Sequence, residues 1–132
     1  MKRKWKRIII PILVFPLLIN SCGKEPASGG YQRIKAEEAK NIIAQEEDII
    51  ILDVRTQEEY NQGHIPNSVL IPDANLRDEV EERIPDKDTK ILVYCRSGRR
   101  SAASARVLID MGYTDVYDFG GILDWPYDIV KD

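Results

Sequence analysis

Histidine occurs once in this chain and cysteine twice, and these scarcities remove several classes of chemistry. His64, Cys22 and Cys95 cannot furnish a structural or catalytic zinc site, and there is no Cys-x-x-Cys pair, so no metal is expected. The two cysteines sit in such different surroundings that a disulfide between them is not the natural reading. Long apolar runs are missing as well. The most apolar stretch, residues 8–19, is broken by Pro11 and Pro16 and falls well short of the roughly 20 residues that cross a bilayer as a helix. Positive charge is scarce in most of the chain. The formal net charge is −3, and Lys2, Arg3, Lys4, Lys6 and Arg7 precede residue 22 with no acid among them, leaving −8 on the remainder. A nucleic acid is therefore not an expected partner of the folded part, because the sequence-independent attraction has the wrong sign. The 132 residues suffice for one domain with a modest core.

The first segment has the order of a secretory signal: basic residues 2–7, the apolar run, then the small Ser21 before Cys22. A permanent transmembrane anchor is the alternative, and the short run disfavours it. Ile19-Asn20-Ser21-Cys22 resembles the lipobox of bacterial lipoproteins. The resemblance implies that residues 1–21 are a signal peptide and that Cys22 becomes a diacylglyceryl-bearing N-terminus. The protein would then be exported and lipid-anchored to the outer face of the bacterial cell membrane or another envelope membrane. At least two acyl chains would hold it, as stable attachment without a spanning helix requires. Residues 22–30, rich in Gly, Ser, Pro and Lys, read as a flexible tether reaching on the order of 15 Å, and residues 31–132 as the folded domain.

From Tyr31 onward, short apolar runs alternate with segments of helical period, the pattern of an α/β domain. Ala36, Ala39 and Ile43 share a helix face, as do Leu76, Val80 and Ile84 ahead of Pro85. Residues 49–52 and 91–94 are continuous β-rich runs, expected of strands covered on both faces and hence of a parallel sheet. Residues 69–71 and 116–119 are further strands, and 101–111 a helix ended by Gly112. The carboxyl ends of parallel strands gather on one sheet edge, where open α/β folds bind ligands. Asp53 and Cys95 both fall there.

The segment Tyr94-Cys95-Arg96-Ser97-Gly98-Arg99-Arg100-Ser101 joins a buried strand to a helix, with Gly98 giving the backbone freedom in the middle. Such a loop can turn its amides inward as an anion cradle, and the following helix adds its free amides and the positive end of its dipole. Cys95 at the base is expected to favour the thiolate, and three arginines concentrate positive potential in a domain that is otherwise negative. Taken singly, a strand-end cysteine is an inert core residue and surface arginines only keep the protein soluble. Together with the glycine turn and the helix start they describe an activated nucleophile.

The chain here resembles the rhodanese family, from about Tyr31 to Trp125. Leu52-Asp53-Val54-Arg55 with Glu58-Glu59-Tyr60 is similar to the first motif of the family, and Gly63-His64-Ile65-Pro66 with Ile71-Pro72 to the second. The Cys95–Ser101 loop is similar to the active-site loop, and Gly120-Gly121 with Trp125 to the closing segment. The resemblance implies a five-stranded, mostly parallel sheet flanked by helices. It implies a sulfurtransferase that carries a persulfide on Cys95, takes sulfur from a small anionic donor and passes it to a thiol or cyanide. No cofactor is expected, and the protein is expected to be a monomer. The loop amides of Arg96, Ser97, Gly98, Arg99, Arg100 and Ser101 would hold the adduct's charge, with Arg100, and also Arg96 and Arg99, binding the donor. Asp53 and Arg55 would support the loop through charge-assisted hydrogen bonds. Helix capping is an open alternative for Asp53, with Thr56 competing for that place. His64 is expected to be structural, and Asn67 replaces a Gly common in the family at a turn position that Asn tolerates.

Two rival readings remain. Cell-cycle dual-specificity phosphatases share the fold, but they use a His-Cys pair and an Arg six positions after the Cys. Here Tyr94 precedes Cys95 and Ser101 takes the sixth place. A non-catalytic membrane-tethered binding module would keep the fold without turnover.

Overall fold

The computed structural model describes residues 30–132. The expected signal peptide, Cys22 and nearly all of the tether therefore lie outside the described residues. Among the described residues no helix is long and apolar enough to cross a membrane.

The chain builds a five-stranded sheet of β1 (Gln32–Arg33), β2 (Ile49–Asp53), β3 (Val69–Leu70), β4 (Lys90–Cys95) and β5 (Val116–Gly121), in the order β1-β5-β4-β2-β3. Every pairing is parallel. The helices are α1 (Ala36–Gln45), α2 (Gln57–Gln62), α3 (Leu76–Arg83) and α4 (Arg99–Asp110), with short 3-10 turns at Asp73–Asn75 and Ile122–Asp124. The central strand β4 alternates its side chains between two cores. Ile91, Val93 and Cys95 join Leu52, Val80, Ala105 and Leu108 in the core beneath α3 and α4. Leu92 and Tyr94 join Ile51, Ala39, Phe119 and Trp125 in the core beneath α1 and the C-terminal segment. Two buried faces explain why β4 reads as a continuous apolar run.

Differences from the sequence reading have local causes. Strand β1 is two residues long and both are exposed, so it carries no apolar signal. Helix α2 buries no residue; it is set by Thr56, whose hydroxyl accepts from the Glu59 amide at 3.2 Å. Helix α4 begins at Arg99, two residues earlier than expected, because Gly98 takes the left-handed conformation (φ 102°) that starts it. Gly112 (φ 94°) and Asn67 (φ 65°) adopt the left-handed turns anticipated for them.

Between β4 and β5 the register slips by one residue: Val93 faces Asp118, but Cys95 faces Gly121. The extra residue on β5 forms a bulge in which Gly120 has φ 88°. Consequently β5 bends under the loop that follows Cys95.

Candidate active site

Cys95 ends the central strand, and the backbone then turns through Arg96, Ser97 and Gly98 into α4. The thiol belongs to the α3/α4 core and the residue is 1% exposed. The Gly98 amide donates to Cys95 Sγ at 3.0 Å. The next three amides, those of Arg99, Arg100 and Ser101, are the first of α4 and have no carbonyl one turn back to bond. Gly98 brings no side-chain cap to satisfy them. A sulfur shielded from water, with an amide aimed at it and a helix start beside it, is a site for negative charge.

The glycines of β5 make the turn possible. A Cβ on Gly121 would lie 2.0 Å from the Arg96 carbonyl oxygen and 2.7 Å from Ser97 Cα, so the loop rests directly on that backbone. Gly98 in turn lies over Gly120, whose Cα would be 3.4 Å from an added Cβ.

The three arginines divide. Arg96 and Arg99 are exposed, and neither forms an ion pair among the described residues. Arg100 is partly buried and makes a two-bond ion pair with Glu59, Nη1 to Oε1 at 2.7 Å and Nη2 to Oε2 at 2.8 Å. That bonding lowers Glu59 to about 2. It also raises Arg100, to which the neighbouring charge of Cys95 contributes as well. The anticipated donor-binding arginine is thus held by a carboxylate from α2.

Ser101 is fully buried, and its hydroxyl is committed to the protein: 2.7 Å to Asp118 Oδ1, 3.1 Å to the Gly98 carbonyl and 3.3 Å to that of Gly120. Its expected part in anion binding therefore falls to its backbone amide. Asp118 Oδ1 also accepts from the Gly120 amide at 3.0 Å, fastening the bulge to α4. Asp118 Oδ2 is buried without a hydrogen-bond partner, and Arg33 Nε stands 3.7 Å away.

Asp53 and Arg55 differ from expectation. They form a buried ion pair, Arg55 Nη2 to Asp53 Oδ2 at 2.7 Å, and Arg55 also donates to the Gly63 carbonyl at 2.8 Å. Neither side chain hydrogen-bonds to residues 96–101. Asp53 pairs in register with Tyr94, so its side chain lies on the face opposite Cys95. The guanidinium sits 5.6 Å from the Tyr94 ring, and the pair reaches the site through that neighbour of Cys95. Helix capping is left to Thr56. Tyr94 accepts from the Ile65 amide at 3.1 Å and contacts Ser68 Oγ at 3.2 Å. Burial, and secondarily Asp53, push its phenol up. His64 stacks on Tyr60 at 3.7 Å and its Nδ1 lies 2.9 Å from the Tyr60 carbonyl, a buried, packed position.

Sequence reasoning had no role for Glu59, Asp118 or Gly121. Glu59 stands three residues after a capping threonine, and Asp118 is a charge inside an apolar strand; both were visible signals. The steric need for Gly121 was not.

The family model for the rhodanese-like domain matches residues 35–126. Thiosulfate sulfurtransferase PspE of Escherichia coli is 37% identical over 80 residues, covering 61% of this chain and 77% of that protein. Thiosulfate sulfurtransferase GlpE of Coxiella burnetii is 35% identical over 96 residues, covering 72% and 87%. Among solved structures, a rhodanese with anions from E. coli superposes with TM-score 0.60 at 35% identity, over 63% of this chain and 98% of that one. A rhodanese-related protein from Thermoplasma volcanium gives TM-score 0.67 at 34% identity, over 77% and 100%.

Proposed function

This chain belongs to the rhodanese-like domain family, and we propose that it is a sulfurtransferase that takes sulfur from thiosulfate and carries it as a persulfide on Cys95, a reading supported by its likeness to thiosulfate sulfurtransferases. The Cys95 thiolate attacks the outer sulfur of thiosulfate. A new S–S bond forms, the donor's own S–S bond breaks, and its electron pair leaves with sulfite. The enzyme then holds Cys95–S–S⁻. An acceptor thiolate or cyanide attacks the terminal sulfur, leaves as persulfide or thiocyanate, and returns the Cys95 thiolate.

The observation that carries this reading is the Gly98 amide donating to Cys95 Sγ at 3.0 Å, at the start of α4. An added sulfur extends from Sγ and carries the negative charge that amides of this kind stabilise, already oriented and without reorganisation. Arg96 and Arg99 draw the anionic donor towards the loop. Anions accompany a similar rhodanese structure, which fits the same chemistry. In the test, protein incubated with thiosulfate gains one sulfur atom in intact mass, a thiol reductant removes it, and Cys95→Ser never acquires it. A Cys95→Ser protein that takes up the sulfur refutes the mechanism.

The reaction is further proposed to run outside the cytoplasm, with Cys22 lipidated and the domain acting as a membrane-tethered unit. The basic segment, apolar run and Ile19–Cys22 sequence support this. Cys22→Ala is expected to release or mislocalise the protein while sulfur transfer is retained. A variant that stays membrane-bound with its N-terminal segment intact refutes the anchor.

A further inference from the structure

Arg100 is the one arginine of the loop that is partly buried, and it does not stand free. Its two terminal nitrogens, the fork that would grip a donor oxyanion in two parallel hydrogen bonds, are both taken by Glu59. Glu59 is fixed in turn. It lies in the first turn of α2, where its amide bonds to Thr56 Oγ1 and its Oε1 lies 3.3 Å from the same hydroxyl. A carboxylate held this way presents to Arg100 what an oxyanion would present, two oxygens at 2.7 and 2.8 Å.

Resting on the sulfurtransferase reading above, we propose that Glu59 is a specificity-determining residue acting as a built-in competitor of the donor's oxyanion group. It occupies Arg100 in the empty enzyme, yields it when thiosulfate arrives, and reclaims it to expel sulfite once the S–S bond has broken. Two consequences follow. Glu59 weakens the binding of every small oxyanion, because each must displace or share its pair with Arg100 and also meets its negative charge. It weakens product sulfite as it weakens substrate, so the persulfide enzyme is cleared of sulfite before the acceptor enters. Transfer from the persulfide to a thiolate acceptor brings no oxyanion group to the Arg100 fork and does not require Glu59 to yield it. If Glu59 were only structural, its loss would loosen Arg100 and weaken donor binding instead.

The test is Glu59→Gln, which keeps a hydrogen-bond acceptor near Arg100 and removes the charge. The KM for thiosulfate is expected to fall roughly two- to fivefold, the worth of a partly exposed ion pair. The inhibition constant of added sulfite should fall by a similar factor. The rate at which preloaded persulfide enzyme sulfurates dithiothreitol should not change. Should Glu59→Gln not fold, as read by circular dichroism, Glu59→Asp serves instead. Its shorter carboxylate loosens the two-bond pair and should move both constants the same way by a smaller factor. A KM that rises or stays put, or a KM that falls without tighter sulfite inhibition, overturns the inference while leaving the sulfurtransferase reading intact. A wild-type protein that gains no sulfur from thiosulfate overturns both.

Discussion

Replacing Gly121 with alanine tests whether the active-site loop is positioned by a backbone contact. Gly121 has φ −119° and ψ 153°, an ordinary extended conformation, so alanine carries no dihedral penalty there. The whole effect must come from the added methyl, which would lie 2.0 Å from the Arg96 oxygen, 2.4 Å from the Arg96 carbon and 2.7 Å from Ser97 Cα. Relieving those contacts to ordinary carbon–oxygen separation moves the Arg96–Ser97 backbone by about 1 Å, and strain of this kind costs about 1 to 3 kcal/mol. The displaced segment lies between Cys95 and Gly98, whose amide is 3.0 Å from Cys95 Sγ. A shift of about 1 Å in reacting geometry costs on the order of a hundredfold in rate. Gly121→Ala is therefore expected to form the Cys95 persulfide about a hundredfold more slowly than wild type, measured by sulfite release from thiosulfate, with a modestly lower melting temperature. Gly112→Ala is the control. It has φ 94° but nothing within 4 Å of its added methyl, so it should lose about 1 kcal/mol of stability through backbone strain and keep its rate. A Gly121→Ala enzyme within twofold of wild type would refute the steric account.

Three other outcomes follow from the contacts. Asp53→Asn strands the Arg55 guanidinium in a buried site and should destabilise the fold by about 3 to 5 kcal/mol in a denaturant titration; a loss below about 1 kcal/mol would mean the pair is not buried in solution. Tyr94→Phe leaves the Ile65 amide without its acceptor, costing about 1 to 3 kcal/mol, readable as a fall in the denaturation midpoint. The Glu59 carboxyl is held down to about 2 by Arg100, so its contribution is present above its unfolded value of about 4.5 and is lost as pH falls from there towards 2. After allowance for solvent screening this amounts to about 1 kcal/mol. Wild type should lose that much more stability than Glu59→Gln between pH 5 and pH 2 (roughly the window in which the carboxylate titrates), and parallel pH curves would refute the pair's contribution.

How much of this was legible in the sequence depended on whether a residue's role is local. Residues 49–52 and 91–94 announced buried parallel strands because both of their faces are covered. The Cys95–Ser101 loop announced a candidate site because a cysteine, a glycine turn and a helix start are consecutive. Strand β1 was silent because two exposed residues at a sheet edge need no apolar pattern. For Asp53 the sequence offered two roles, loop support and helix capping, and the structure assigns neither. Strand alternation turns it away from Cys95 and towards Arg55, and Thr56 caps α2.

By itself the sequence determined the fold class and the family and singled out Cys95 as the candidate nucleophile, because apolar period, turn chemistry and the loop motif are properties of adjacent residues. Only the tertiary structure decided that Arg100 answers to Glu59, that Ser101 is bound to Asp118, and that Gly121 is the floor of the loop. Those partners are 41, 17 and 25 positions apart respectively. They meet because parallel crossovers and a one-residue bulge bring strand ends together, and the resulting distances are set by packing and not by any spacing along the chain.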